Sequence, residues 1–284
     1  MIVKTNSFKM VLYNFRELGH IRNISMQEQS AFCCVPIYQI LPVKYLIKIF
    51  RNNTLRFNNI VKSWEDPYEL FMLKHKITIE DCPLYDTQSS LQKNYYGQCW
   101  SLNKDSDAMW RIYSPDKESV RIKTSVIKMI EVLNQTRGMM WVAPLLGKVK
   151  YLTQDKIAEW LLSTQTEEKL WIFDCFSESL FIKRHEFEHE NEIRFLIHNG
   201  NLGKSPKPSN VHDDYIDMQV DPSNFIEEIA LDPRLSDKDF EDRKILLSSI
   251  TGSVPICKSD LYSFQPIELS YKKSVLEAKI PLNI

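Results

Sequence analysis

The chain has 284 residues, 43% apolar and 26% charged, enough for one large domain or two small ones with a real core. Its formal net charge of -1, from 36 Lys and Arg against 37 Asp and Glu, excludes whole-protein attraction to nucleic acid or to a membrane surface and leaves only local patches. Seven glycines against 14 Phe, 12 Tyr and 6 Trp exclude a low-complexity or disordered chain.

The opening MIVKTNSFKMVLYNFRELGH has no continuous apolar h-region and no small-residue cleavage site, so it does not read as a secretory signal. No apolar run approaches the roughly 18 residues of a membrane span. Cys33, Cys34, Cys82, Cys99, Cys175 and Cys257 form no C-x-x-C pair, which argues against a structural zinc site and for reduced thiols in a cytoplasm. Residues 1–34 read as an N-terminal extension with one helix, and 35–284 as the main domain.

In that domain, residues 35–41 (VPIYQIL) read as a short strand. Pro42 then opens a helix to Asn53, with Val43, Leu46, Ile47 and Phe50 on one stripe. Residues 54–57 (TLRF) are a second strand, and Trp64-Glu65-Asp66-Pro67-Tyr68-Glu69 is a loop with an ordinary turn signal. Residues 95–102 (YYGQCWSL) read as a buried strand, Asp105-Ser106-Asp107 as the cap of a helix over 108–112, and 120–122 as a strand. A helix over 125–136 and a strand at 148–152 (KVKYL) follow, then a mainly helical stretch over 154–182. Ile193, Phe195 and Ile197 alternate with Glu192, Arg194 and Leu196, as in a half-buried strand. Residues 199–210 are a loop, 225–231 (FIEEIAL) a strand and 236–250 a helix. Strands and helices interleave irregularly with no internal repeat, which is an α+β pattern with one main domain.

Two motifs compete for residues 183–194, KRHEFEHENEIR. His185-Glu186-Phe187-Glu188-His189 spells H-E-x-x-H, the zinc-protease signature when it lies on a largely apolar helix. Here the flanks are charged, and in an extended chain the two histidines stand about 13 Å apart, too far to share a metal. A non-metal reading is therefore preferred. On a strand, Glu188, Glu190, Glu192 and Arg194 share one face, either a solvated surface or a set of working carboxylates.

Four stretches decide between these. They are Tyr38-Gln39-Ile40 with Thr54–Phe57 and Asp66–Glu69; Cys99–Leu102 with Ala108–Tyr113; Lys183–Arg194; and Lys258–Tyr262. Together they resemble a bacterial family known as domain of unknown function 2971, over about residues 35–262. Where that family carries Tyr-Lys-Tyr this chain has Tyr38-Gln39-Ile40, and where it carries Asn-Asp-Pro this chain has Glu65-Asp66-Pro67. The order of the motifs is similar to that of ADP-ribosyltransferase folds. The likeness implies a central split, mixed sheet of short strands with surrounding helices.

It also implies roles. Tyr38 or Gln39, Ser101 and Glu192 would occupy the three positions of the NAD site, with NAD as substrate and no metal. Glu192 would stabilise the oxocarbenium-like ribose and Ser101 would support it. Glu190 would orient or deprotonate the acceptor. Trp100, Tyr113 or Tyr38 would stack on nicotinamide, although the tryptophans read equally as core. Arg111 and Arg194 would grip phosphates or else pair with nearby carboxylates. The acceptor would be a protein or a nucleic acid, and the setting a toxin or phage-defence effector.

A second reading is a binding module for a nucleotide or a partner protein, in which an internal Arg already neutralises the carboxylate. A third is a nucleic-acid enzyme using Lys148-Val149-Lys150, Lys204-Ser205-Pro206-Lys207 and Asp213-Asp214. No Gly-rich phosphate loop and no G-x-S-x-G occurs, which sets aside P-loop, Rossmann and α/β-hydrolase enzymes.

Overall fold

Proline sits at both ends of the first strand, β1 (Pro36–Pro42), and at the second of them the chain turns straight into a helix, α2 (Val43–Asn52). Short α1 (Gln29–Phe32) precedes them. Helix α2 buries Leu46 and Ile49, and it ends at Asn53, whose left-handed backbone (φ 53°) an asparagine adopts at little strain. The reversal leads into β2 (Thr54–Asn59). This computed structural model describes residues 22, 28–74, 95–135, 144–164, 172–199 and 210–272. The N-terminal helix expected within 1–34 therefore falls mostly outside the described residues. So do Cys82, Thr136, residues 165–171, the loop at 200–209 and the Lys204–Lys207 stretch.

Helices α3 (Ile60–Ser63) and α4 (Phe71–Lys74) follow β2, then β3 (Tyr95–Ser101), α5 (Asp107–Tyr113), β4 (Ser119–Ser125) and α6 (Val126–Asn134). Ser106 caps α5 through its hydroxyl, as the Asp-Ser-Asp signal predicts. The expected strand at 148–152 is instead two, β5 (Leu145–Lys148) and β6 (Lys150–Leu152). The chain changes partner at Val149, whose N–H donates to the Glu192 carbonyl, while the next N–H, of Lys150, donates to Phe181. The expected helical stretch after it resolves into α7 (Gln154–Ser163), α8 (Ile172–Ser179) and a strand, β7 (Ile182–Arg184). Beyond β8 (Glu192–His198) come β9 (Tyr215–Gln219), short α9 (Pro222–Phe225), β10 (Glu228–Leu231), α10 (Asp237–Thr251) and β11 (Ile256–Lys258). The strand expected at 225–231 thus begins only at Glu228.

The result is an α+β fold around one nine-stranded mixed sheet, ordered β11-β10-β4-β1-β3-β2-β9, with β8 and β5 continuing from the other edge of β3. Among the named strands of the described residues, β10 and β11 alone run parallel within it; β6 and β7 form a separate parallel pair. Strand β8 is buried on both faces rather than half-buried, because β3 and β5 flank it and a cluster of apolar side chains covers each side. Ile193, Phe195 and Ile197 enter one cluster and Leu196 the other.

The sheet is forked at β3. Strand β1 meets it only at Tyr38↔Ser101, and β2 only at Asn58↔Gly97 and Asn59↔Tyr96. Between those contacts the ladder is missing and side-chain amides stand in for it. Gln39 Nε2 donates to the Cys99 carbonyl at 2.9 Å and to Gln98 Oε1 at 3.0 Å, and Gln98 Nε2 donates to the Arg56 carbonyl. Otherwise-orphaned backbone acceptors are satisfied in this way, and the fork stays open as a cleft.

Candidate active site

Tyr38, Ser101 and Glu192 lie side by side across β1, β3 and β8, since Tyr38 is in register with Ser101 and Ser101 with Glu192. Strand alternation sends their side chains to the face opposite Trp100 and Ile193. There they border a cavity of about 320 Å³, whose wall also includes Gln39, Tyr113 and Glu190. Most of the site residues singled out in the sequence therefore meet at one place.

The segment before β8 is not extended. His185–Glu190 forms a 3₁₀ helix, closed by Asn191 in the left-handed region at φ 43°. Glu188 consequently leaves the expected row and stays exposed, while the reversal at Asn191 keeps Glu190 against the cavity. Several bonds tie the turn to the end of β3 and the residues just after it: among them Asn191 Nδ2 donates to Asn103 Oδ1 at 2.9 Å, and Leu102 N–H donates to the Asn191 carbonyl at 2.9 Å. Asn191→Gly keeps the left-handed backbone unstrained and gives up only the bond to Asn103, so it is expected to cost no more than about 1 kcal/mol. Asn191→Val should lower stability by about 1–3 kcal/mol, because a β-branched side chain is strained at positive φ. Equal melting curves for the two variants would count against this account of the turn.

In a 3₁₀ helix residues three apart eclipse, so His185 and His189 do not align as they would on an α-helix. His185 Nδ1 lies 3.2 Å from Glu188, both of them exposed. Among the described residues no group of three or more His, Cys, Asp or Glu is placed to hold a metal ion.

The carboxylates of the site are buried in a network. Lys183 Nζ stands 2.5 Å from Glu190, 3.2 Å from Glu192 and 3.7 Å from Glu69. Arg194 donates from Nε to Glu192 at 2.8 Å, from Nη1 to the Leu180 carbonyl at 2.8 Å, and from Nη2 to Glu69. Its guanidinium lies 4.0 Å from the centre of the Trp64 ring. Tyr113 donates to Glu190 at 3.0 Å, and the Tyr151 hydroxyl accepts the Glu192 N–H at 2.8 Å.

Three carboxyls thus face two cations, and the imbalance falls on Glu190. Burial, then the charge of Glu192 and a hydrogen bond to it, push Glu190 up to about 7 against the pull of Lys183. Burial alone would raise Glu192 as well, but Arg194 and Lys183 outweigh it and hold that carboxylate down at about 2. One carboxyl near neutrality beside one that stays ionised is a division of labour found at acid–base sites.

Ser101 has a different partner from the one expected. Its hydroxyl donates to the Glu190 carbonyl at 2.7 Å and accepts the Asn103 N–H at 3.0 Å, so it anchors the 3₁₀ turn. Trp100 also borders the cavity, but its ring is 1% exposed and packs edge-on to Phe225 in the core. Arg111 is outside the cavity wall, exposed and bonded to Asp107 one turn earlier. Arg194 spends its whole fork inside the network, the carboxylate-pairing alternative rather than the phosphate one.

Glu69, Lys183, Trp64 and Tyr151 have no site role in the sequence reading, although Glu69 and Lys183 stand in stretches that carry the family resemblance. Glu69 sits on a turn fastened by Asp66, which accepts from Tyr68 N–H at 3.1 Å and pairs with Arg184 at 2.9 Å. The sequence signal for Lys183 is its place in the Lys183-Arg184 pair that opens the third resembling stretch, ahead of the carboxylates.

Residues 109–195 match the family described as "Protein of unknown function (DUF2971)". No curated protein matches the chain. Solved structures similar to it include Thermus sp. 2.9 DarT in complex with ADP-ribosylated ssDNA, with NAD+ and with carba-NAD+. Each is 14% identical with a TM-score of 0.34, covering 79% of this chain and 94%, 95% and 95% of the other, respectively. No helix among the described residues is long and apolar enough to cross a membrane.

Proposed function

We propose that the cavity binds NAD and breaks its bond between nicotinamide and ribose, passing ADP-ribose to an acceptor or to water. The observation that carries this reading is the pair Glu190 and Glu192 at the cavity wall, one carboxyl near neutral pKa and one held ionised. As the glycosidic bond breaks, its electron pair goes to the ring nitrogen and neutralises the pyridinium. Positive charge then gathers on the ribose, as in glycoside cleavage generally. With Glu190 ionised the network carries one surplus negative charge, and the ribose cation balances it. A lone pair of the acceptor forms the new bond to the ribose carbon, and its proton passes to the Glu190 carboxylate. Tyr113, bonded to Glu190 at 3.0 Å, holds that carboxylate in place. Consumption of NAD in this way would suit a toxin or phage-defence effector.

One observation favours a second reading, a nucleotide-binding module without turnover. Glu192 already accepts from Arg194 at 2.8 Å and Lys183 at 3.2 Å, and is nearly inaccessible. Incubation with NAD while following nicotinamide release separates the two. Release that is lost in Glu192→Gln and unaffected by a chelator is the expected result. Because that change also unpairs one arm of Arg194, melting curves accompany it. Bound NAD recovered intact would establish the binding module; release or proteolysis stopped by the chelator would reinstate the His185–His189 motif.

A further inference from the structure

A second cavity, about 380 Å³, opens across the Gln39–Gln98 bridge, between β1, β2 and α2. Gln39, Ile40, Asn58 and Gln98 border both cavities. Since β1 and β3 pair at a single position, no continuous strand ladder separates the two spaces there, and the Gln39–Gln98 bridge crosses between them. Each is near the small end of the roughly 300–1,000 Å³ spanned by ligand sites. A dinucleotide is two nucleoside halves joined by a diphosphate, and two small adjoining cavities match that shape better than either one.

The two cavities differ in sign. Glu190 and Glu192 border the first, which suits a cationic pyridinium ring. Lys48, Arg56 and Asp217 border the second. Arg56 occupies both oxygens of Asp217, at 2.8 Å each, which leaves Lys48 as the unopposed charge. No carboxylate pairs with Lys48 among the described residues; its ammonium lies 5.5 Å from the centre of the Tyr45 ring one turn earlier on α2. Tyr45 is half exposed, a ring with a face to offer a base.

We infer that this second cavity takes the diphosphate and distal nucleoside of a dinucleotide, with Lys48 on a phosphate and Tyr45 against the base. The inference rests on the first cavity being the nicotinamide–ribose site. Calorimetry with ADP, inorganic diphosphate, nicotinamide riboside and NAD tests it on the full chain. Lys48→Glu should weaken ADP and NAD at least tenfold while leaving nicotinamide riboside unchanged, as for loss of a charge-assisted contact. Tyr45→Ala should weaken ADP but not diphosphate. Both residues lie on the exposed side of a helix, so the variants keep the fold. ADP bound equally by wild type and Lys48→Glu, or ADP competing with nicotinamide riboside, would overturn the second site even if NAD is still consumed. ADP binding that depends on Lys48 in a protein that never cleaves NAD would sustain the site as one for nucleoside diphosphates and remove the transferase reading alone.

Discussion

Arg194→Leu is expected to lower stability by about 3–5 kcal/mol, enough to leave little folded protein at 37 °C. The side chain is fully buried, and its three nitrogens serve Glu192, Glu69 and the Leu180 carbonyl. Removing it strands two carboxyls without their main counter-charge, and a buried unpaired charge is among the few single-residue defects that reach this size. Lysine is no substitute, because one ammonium cannot span three directions as a planar fork does. The paired test is the triple change Arg194→Met, Glu192→Gln and Glu69→Gln. It removes the charges together and leaves Lys183 opposite Glu190, so most of the lost stability should return, without activity. Denaturant midpoints for the single and triple variants measure the difference. A single variant within about 1 kcal/mol of wild type would mean that the network is not what holds β8 against the 64–70 loop.

Much of the frame was legible from local pattern. Helix α2 carries an apolar stripe and β8 an apolar alternation that tertiary packing reinforced, and strands β1 to β3 are short runs set off by turn signals. The site was legible in part, because Ser101, Glu190 and Glu192 were reached by resemblance, whereas their contacts depend on register between strands about ninety residues apart in sequence. Two local decisions went the other way. Residues 185–190 alternate charge without an apolar face, so nothing in the pattern distinguishes a strand from a 3₁₀ turn. Asn191, a residue that tolerates the left-handed region, was the available clue. Lys148–Leu152 alternates without interruption, yet Val149 passes the chain from one sheet to another, which only the partners determine. Glu69 and Lys183 carry no periodic signal at all. An acid on a turn and a lysine in a basic pair look like surface, and only the burial of both beside Arg194 reveals that they complete the charge network.

That network predicts how activity and stability should diverge with pH. NAD cleavage, followed as kcat/KM, is expected to rise with pH to a plateau, with its midpoint near the value of about 7 to which burial and Glu192 push Glu190, because a base must be ionised to accept the acceptor's proton. Stability should run in the opposite direction. In the unfolded chain Glu190 titrates at its ordinary 4.5, so between 4.5 and about 7 the folded state binds more protons. Its contribution is full below 4.5 and is lost as pH rises through 7, a change of about 3 kcal/mol at most. Glu192, held below its ordinary value by Arg194 and Lys183, behaves oppositely. Its contribution is present above 4.5 and is lost only as pH falls toward 2. Glu190→Gln mimics the protonated acid at every pH. It should abolish the rising limb and reduce turnover about a hundred- to ten-thousandfold. Above pH 7 it should melt higher than wild type, since it removes the surplus charge from a cluster of three acids and two bases. At about pH 5 the two proteins should melt together. A variant that loses activity and stability equally at about pH 8 would make Glu190 a structural carboxylate and leave the proton acceptor to be found elsewhere in the cavity.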